Sequence, residues 1–204
     1  MGTTEKAAEA GFRRLDLSPK ESMRQQMRLL RRKLDTAWIK KSSEVIQQFV
    51  LQQKAFRDAS TVGLYLALPR EVQTDAIVAA CRASGKAVCV PALKRAYNRY
   101  EMCSLSEHEP MREAAWGLME PIKPRWVSTS DVDVMIVPCV AFDAYGRRLG
   151  HGGGYYDRLL AEHQGMKLCL AFESQRVTVV PSEVHDVEMD LVITEKKIYD
   201  PKLI

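Results

Sequence analysis

Nowhere in this chain do two cysteines stand in C-x-x-C spacing, and the five present (Cys81, Cys89, Cys103, Cys139 and Cys169) are an odd number. Both features argue against a zinc knuckle, a dithiol redox motif and a disulfide-stapled fold. Cys89 and Cys169 fall inside apolar, strand-like runs, so the thiols read as reduced and mostly buried. That points to the cytosol, with the mitochondrion left open. No apolar run approaches the roughly 20 residues of a membrane span. The first residues, Met1-Gly2-Thr3-Thr4-Glu5-Lys6, have neither a signal-peptide core nor a myristoylation pattern. A membrane partner is therefore not expected. Internal repeats and low-complexity tracts are also missing.

What is present suits one ordinary core. With 204 residues, 46% of them hydrophobic, the chain reads as a flexible segment over 1–17 followed by a single domain over 18–204, expected to be a monomer. The formal net charge of +4 is uneven: residues 1–41 hold eleven Lys and Arg against five Asp and Glu. The basic character belongs to the N-terminal segment, as a solvated helix face or as a surface for nucleic acid.

Ser18-Pro19-Lys20-Glu21 has the form of a capping box with proline at the first helical position. Met23, Met27, Leu30 and Leu34 follow at helical spacing, with Lys20, Arg24, Arg28 and Arg31 on a neighbouring face. A second helix is expected over 37–53, with Val45, Ile46, Phe49 and Val50 inward. Strands are expected at 61–67, 87–91, 99–105, 134–137, 167–172 and 191–194, and helices at 74–83 and 154–163. The stretch around Trp116 reads mostly as loop. Alternating strands and helices predict an open α/β fold, three layers with a mainly parallel central sheet, in which ligands bind beyond the carboxyl ends of strands.

Glycine is sparse, 11 residues in all, yet four of them fall within Gly150-His151-Gly152-Gly153-Gly154. The block follows the apolar run Val134–Val137, which Pro138 is expected to end, and it precedes a helix. Successive backbone N–H groups of such a loop can face an anion, with the helix dipole behind them. Asp157, in the first turn, would repel a bare phosphate and suits one bridged by a divalent cation. The loop thus reads as a site for nucleotide and Mg²⁺, with a Gly-rich surface turn as the plain alternative.

The run Val137-Pro138-Cys139-Val140-Ala141-Phe142-Asp143 through Arg148-Leu149-Gly150-His151-Gly152-Gly153-Gly154-Tyr155-Tyr156-Asp157-Arg158 resembles the signature of the 5-formyltetrahydrofolate cyclo-ligase family. Lys20 and Arg24, Leu66 with Glu71, Trp116-Gly117 and the closing stretch His185–Thr194 fall in the family's order, so the likeness spans about 18–196. It implies an α/β sheet of Rossmann-like type and ATP- and Mg²⁺-dependent conversion of 5-formyltetrahydrofolate to 5,10-methenyltetrahydrofolate, with the formyl oxygen phosphorylated on the way. It implies that Lys20, Arg24, Arg148, Gly150, His151, Gly152, Gly153, Gly154, Tyr155 and Tyr156 bind ATP, and that Asp157 and Asp186 hold Mg²⁺. Leu66, Glu71, Trp116 and Tyr156 line the folate pocket by the same matching, and Arg148 and Tyr156 act in catalysis. Two departures stand out. The family commonly has Pro-Gly at Pro138-Cys139, and some members carry Lys at Gly153; Arg147 or Arg148 is then the nearest substitute cation.

Two other readings compete. A folate- or RNA-binding protein could keep the fold without turnover, although no aromatic-basic ribonucleoprotein motif is present and no nucleic-acid partner is expected. An isomerase or acyl-CoA transferase on a similar sheet would need a base or carboxylate nucleophile beside the phosphate site, and Glu71 is the obvious candidate.

Overall fold

A computed structural model describes residues 17–204; the expectation of a flexible 1–17 segment lies, but for Leu17, outside them. The chain opens with three helices, α1 (Pro19–Arg32), α2 (Thr36–Leu51) and α3 (Lys54–Asp58). Next come β1 (Thr61–Leu64), α4 (Asp75–Ala83), β2 (Ala87–Lys94) and β3 (Arg99–Ser104). A small hairpin pairs β4 (Met111–Glu113) with β5 (Met119–Pro121), and β6 (Val134–Pro138) returns to the main sheet. A second hairpin, β7 (Ala141–Phe142) and β8 (Arg148–Leu149), leads into α5 (Tyr155–Ala161). β9 (Met166–Leu170), β10 (Leu191–Ile193) and β11 (Ile198–Tyr199) complete the order.

The seven-stranded sheet runs β11-β10-β9-β6-β1-β2-β3. Its five inner strands are mutually parallel and both edges are antiparallel. The period-2 alternation of strand side chains splits the core into two layers. Val134 and Ile136 of β6 join α2 and α4 in one cluster, with Leu168, Leu170 and Ile193. Met135 and Val137 point the other way, to Leu159 and Leu160 of α5 and to Cys169 and Val192. Helices on both faces of a mainly parallel sheet are the expected three layers. Strand order reverses between β1 and β6, and at such a point the two crossovers diverge and leave a crevice beyond the strand ends.

Several boundaries differ from expectation. β1 stops at Leu64 rather than at Ala67, because Tyr65 turns its hydroxyl to the Val72 carbonyl (2.7 Å) and Thr74 donates to the Tyr65 carbonyl (2.9 Å). Pro138 ends β6 as expected but is itself the strand's last residue, in register with Leu170. The long connection after it is folded as the β7–β8 hairpin, and part of the stretch read as loop around Trp116 is the β4–β5 hairpin. The latter is fastened by Glu120, which is 2% exposed and accepts from Arg112 (2.6 and 2.8 Å) and from the Leu93 backbone (3.0 Å). Only half of the capping box forms. Ser18 accepts from the Glu21 N–H (3.2 Å), whereas the Glu21 carboxylate faces Arg24 and Arg28. On α1 the buried positions are Met27 and Arg31 while Leu30 is exposed, and on α2 Val45 is exposed. All five cysteines are free and buried. Among the described residues no helix is long and apolar enough to cross a membrane.

Candidate active site

At the β1–β6 reversal lies a cavity of about 770 Å³. One wall follows β1, with Tyr65, Leu66, Leu68 and Glu71; α1 supplies Lys20, Arg24 and Arg28; the glycine block and α5 supply the third side; and Glu183, His185 and Asp186 close an end. Every residue that the sequence nominates reaches this cavity except Trp116, whose side chain lies outside the described residues. Its neighbours Leu118 and Met119 line the wall.

Helix α1 presents its cations here because Met27, one turn on from Met23, docks against Val140, Ala141 and Leu149. That contact turns the Lys20–Arg24–Arg28 row, spaced by four residues, toward the cavity. Arg24 donates from Nε to the Gly150 carbonyl (2.9 Å) and from Nη1 to Glu21 (3.1 Å). Its guanidinium thus lies against the glycine loop. A Cβ at Gly152 would come within 3.4 Å of it, and Gly152 has φ +108°. Gly154 has φ +60° and caps α5. Both angles are costly for other residues. At Gly153 a Cβ would overlap the Tyr155 ring, which packs on Tyr100 with centroids 4.5 Å apart. With the ring there, a lysine at 153 has no room.

Arg148, at the end of the β7–β8 hairpin, is the nearer substitute cation. Arg147 pairs instead with Asp143 (2.9 Å) and does not line the cavity. The Arg148 side chain is 2% exposed, gives Nη2 to Asp157 Oδ1 at 2.7 Å, and keeps a buried Nε with no partner. An unsatisfied guanidinium nitrogen in a cavity wall is suited to an anion. Asp157 Oδ1 also accepts weakly from the Val187 N–H (3.5 Å), which brings the loop carrying Asp186 against α5. Asp186 in turn accepts from Lys20 (2.6 Å) and from the Glu183 N–H (2.7 Å). Burial works against both charges, but these hydrogen bonds outweigh it, raising the Lys20 ammonium above its ordinary value and lowering the Asp186 carboxyl below its own.

The other half of the cavity is apolar around one carboxylate. Glu71 is 6% exposed; it accepts from the Leu68 N–H (3.1 Å), and its Oε1 lies 3.2 Å from His151 Nε2 and 3.7 Å from Arg31. His151, which the family likeness places with ATP, thus has its ring on the Glu71 side. Tyr156 packs into both core layers. Burial, and then the Glu71 charge, push its hydroxyl far above the ordinary tyrosine value. It is a phenol at neutral pH, a hydrogen-bond donor and not a base.

Sequence reasoning placed Arg28 on the right helix face without assigning it to the site, although its i+4 spacing from Arg24 was the signal. It missed Tyr100 and Met119, which come from a strand and a hairpin with no motif of their own.

A profile of the 5-formyltetrahydrofolate cyclo-ligase family matches residues 16–195, nearly the whole chain. The chain belongs to that family. It is 32% identical to the 5-formyltetrahydrofolate cyclo-ligase of Escherichia coli K12 over 150 residues, 70% of this chain and 81% of that one. To the probable 5-formyltetrahydrofolate cyclo-ligase of Caenorhabditis elegans it is 29% identical, over 86% of this chain and 92% of the other. The solution structure of 5,10-methenyltetrahydrofolate synthetase from Aquifex aeolicus superposes with a TM-score of 0.80 at 28% identity, covering 90% of this chain and 93% of that one. Membership therefore rests on full-length fold as well as on sequence, and the glycine block lies inside the matched span. The family is one of ligases.

Proposed function

We propose that the chain closes 5-formyltetrahydrofolate to 5,10-methenyltetrahydrofolate, using ATP and releasing ADP and phosphate. The observation that carries this reading is the divided cavity: four cations and a glycine loop on one side, and a buried carboxylate in an apolar wall on the other. Phosphoryl transfer is catalysed chiefly by positioning and charge neutralisation. Lys20, Arg24, Arg28 and Arg148 supply the positive charge, and the backbone of Gly150–Gly154 supplies a surface on which phosphates can lie close. The formyl oxygen attacks the γ-phosphorus, and the bond to the ADP oxygen breaks. N10 then bonds to the formyl carbon, the carbon–oxygen bond breaks, phosphate leaves, and the N10 proton goes to solvent.

Asp157 and Asp186 fit a magnesium ion held jointly with nucleotide. Among the described residues no group of three or more His, Cys, Asp or Glu side chains could cage a metal. The two carboxylates would need phosphate oxygens and water to complete an octahedron, which is how Mg²⁺ is commonly bound. When bound, the ion neutralises charge on the transferring phosphoryl group. Glu71 accepts pterin N–H donors, Leu66 with Leu118 and Met119 covers the flat ring, and the Tyr156 phenol donates into the space between the two substrates. Five free buried thiols support a reducing compartment, the cytosol or the mitochondrion, and a monomer is taken as the working unit.

The test is the near-ultraviolet absorbance of methenyltetrahydrofolate on mixing the protein with 5-formyltetrahydrofolate, ATP and Mg²⁺, each omitted in turn. A rise that requires all three supports the reading. No rise from folded protein that still binds ATP and folate favours a binding protein on the same fold.

A further inference from the structure

Both candidate metal carboxylates are already engaged, each by a cation of this chain. Lys20 Nζ lies 2.6 Å from Asp186 Oδ2 and 3.3 Å from Glu183 Oε1. Arg148 Nη2 lies 2.7 Å from Asp157 Oδ1. The four charged groups of these two pairs line one cavity with the glycine loop, and a phosphate held there attracts both cations alongside Arg24 and Arg28. In each carboxylate the second oxygen, Oδ1 of Asp186 and Oδ2 of Asp157, accepts no hydrogen bond among the described residues.

We infer that the two ion pairs are placeholders: the chain's own cations occupy the metal's carboxylates until a triphosphate draws Lys20 and Arg148 toward itself. A divalent ion is therefore admitted with the nucleotide and excluded without it. This rests on the ATP reading above and adds an order to it.

The physical argument is one of like charge. A divalent cation binding at Asp186 with Lys20 in place meets an ammonium within a few ångströms, held there by Asp186 and Glu183 together, so the pull of the two carboxylates is offset by like-charge repulsion. Phosphate reverses both terms. It offers Lys20 and the Arg148 guanidinium a better-matched anion, and it supplies the remaining metal ligands. Lys20 can make this exchange because its ammonium sits on a flexible four-carbon stem with three rotatable donors. Arg148 makes the same exchange by turning its planar fork of five N–H donors from Asp157 toward the phosphate. By linkage, whatever factor the nucleotide adds to metal affinity the metal adds to nucleotide affinity.

The test titrates Mn²⁺ into nucleotide-free protein and follows loss of the free-ion electron paramagnetic resonance signal. Wild type is compared with Lys20→Met and Lys20→Gln, each first checked for wild-type circular dichroism. In parallel, calorimetry measures binding of preformed Mn²⁺·ATP to wild type. The expected result is weak Mn²⁺ binding to wild type and an affinity at least tenfold higher in both variants, because the competing cation is gone. Unchanged Mn²⁺ affinity in folded variants, with wild type still taking up Mn²⁺·ATP, overturns the placeholder role and leaves the ATP site standing. Tight Mn²⁺ binding to nucleotide-free wild type overturns it too. Failure of wild type to bind Mn²⁺·ATP removes the ATP reading, and the inference with it.

Discussion

Asp157 is where removing a candidate ligand also removes a support of the fold. Read from sequence, a first-turn carboxylate facing a ligand contributes little to packing, and Asp157→Ala should spare stability. The structure changes that expectation. The partner of Asp157 is Arg148, whose side chain is 2% exposed and whose Nε has no other partner. Truncating Asp157 leaves a buried guanidinium without its carboxylate, a change that costs about 3–5 kcal/mol when the pair is fully enclosed. Asp157 is 19% exposed, so water can partly repair the loss, and the lower end, about 3 kcal/mol, applies. For a domain of this size that is a fall in Tm of about 6–12 °C. Asp157→Asn keeps an acceptor oxygen and should lose about 1–1.5 kcal/mol, the difference between a charge-assisted hydrogen bond and a neutral one. Scanning calorimetry of wild type and both variants reads the difference. Saturating ATP should return part of the Asp157→Ala loss, because phosphate gives Arg148 a new anion. A Tm for Asp157→Ala within about 2 °C of wild type, less than a single kcal/mol on this scale, would refute the pairing argument.

Glu71→Gln should leave ATP binding intact and raise the folate KM by about 10- to 150-fold, the worth of one charge-assisted hydrogen bond at about 1.5–3 kcal/mol; loss of both substrates together in a folded variant would contradict the division of the cavity. The Asp186 carboxyl is held below its ordinary range, so its contribution to stability is present above about pH 4 and lost as pH falls through the lower folded value. The raised Lys20 contributes below about pH 10.4 and is lost as pH rises through its folded value. Tm–pH curves of wild type and Lys20→Met should therefore keep a constant gap near neutrality and converge in acid; curves parallel throughout would show that the ion pair has no energetic weight. Cys139→Gly, which restores the residue common in the family, should destabilise by about 1–2 kcal/mol through lost burial and added backbone freedom. Cys139 is 4% exposed and has no positive φ, so denaturant melts that show a gain would mean its backbone is strained.

The sequence disclosed those features that repeat locally. Val134–Val137 shows as a buried strand because four consecutive apolar residues serve two core layers at once, and the α4 stop shows because Ser84-Gly85 is local turn chemistry. The glycine block was legible for the same reason: its backbone angles need glycine wherever the chain is placed. What the sequence hid is what tertiary partners decide. Pro138 closes β6, as a terminator should, but its own place in the pairing, opposite Leu170, is set by the neighbouring strand. Leu30 continues the apolar spacing of α1, yet Arg31 is the buried residue, because its guanidinium meets the Arg70 carbonyl (3.1 Å) and Glu71. His151 sits among nucleotide-loop residues in sequence and against Glu71 in space.

Arg31 also explains how one helix could serve both substrates of the proposed reaction. Lys20 and Arg24 occupy the first half of α1 and face the glycine loop. At the other end Arg31 holds Glu71, and Arg70 returns the contact by donating to the Arg31 and Arg32 carbonyls (3.0 and 2.9 Å). Those carbonyls carry the negative end of the helix dipole, so the arginine is favoured there by charge as well as by hydrogen bonding. The loop that carries Glu71 is thereby fixed to the same rigid rod as the phosphate-side cations. A helix rises 1.5 Å per residue, so Lys20 and Arg31 stand about 16 Å apart along the axis. The cations and the carboxylate are set at the two ends of a ruler, which fits a reaction whose rate depends on placing a formyl oxygen against a phosphorus atom.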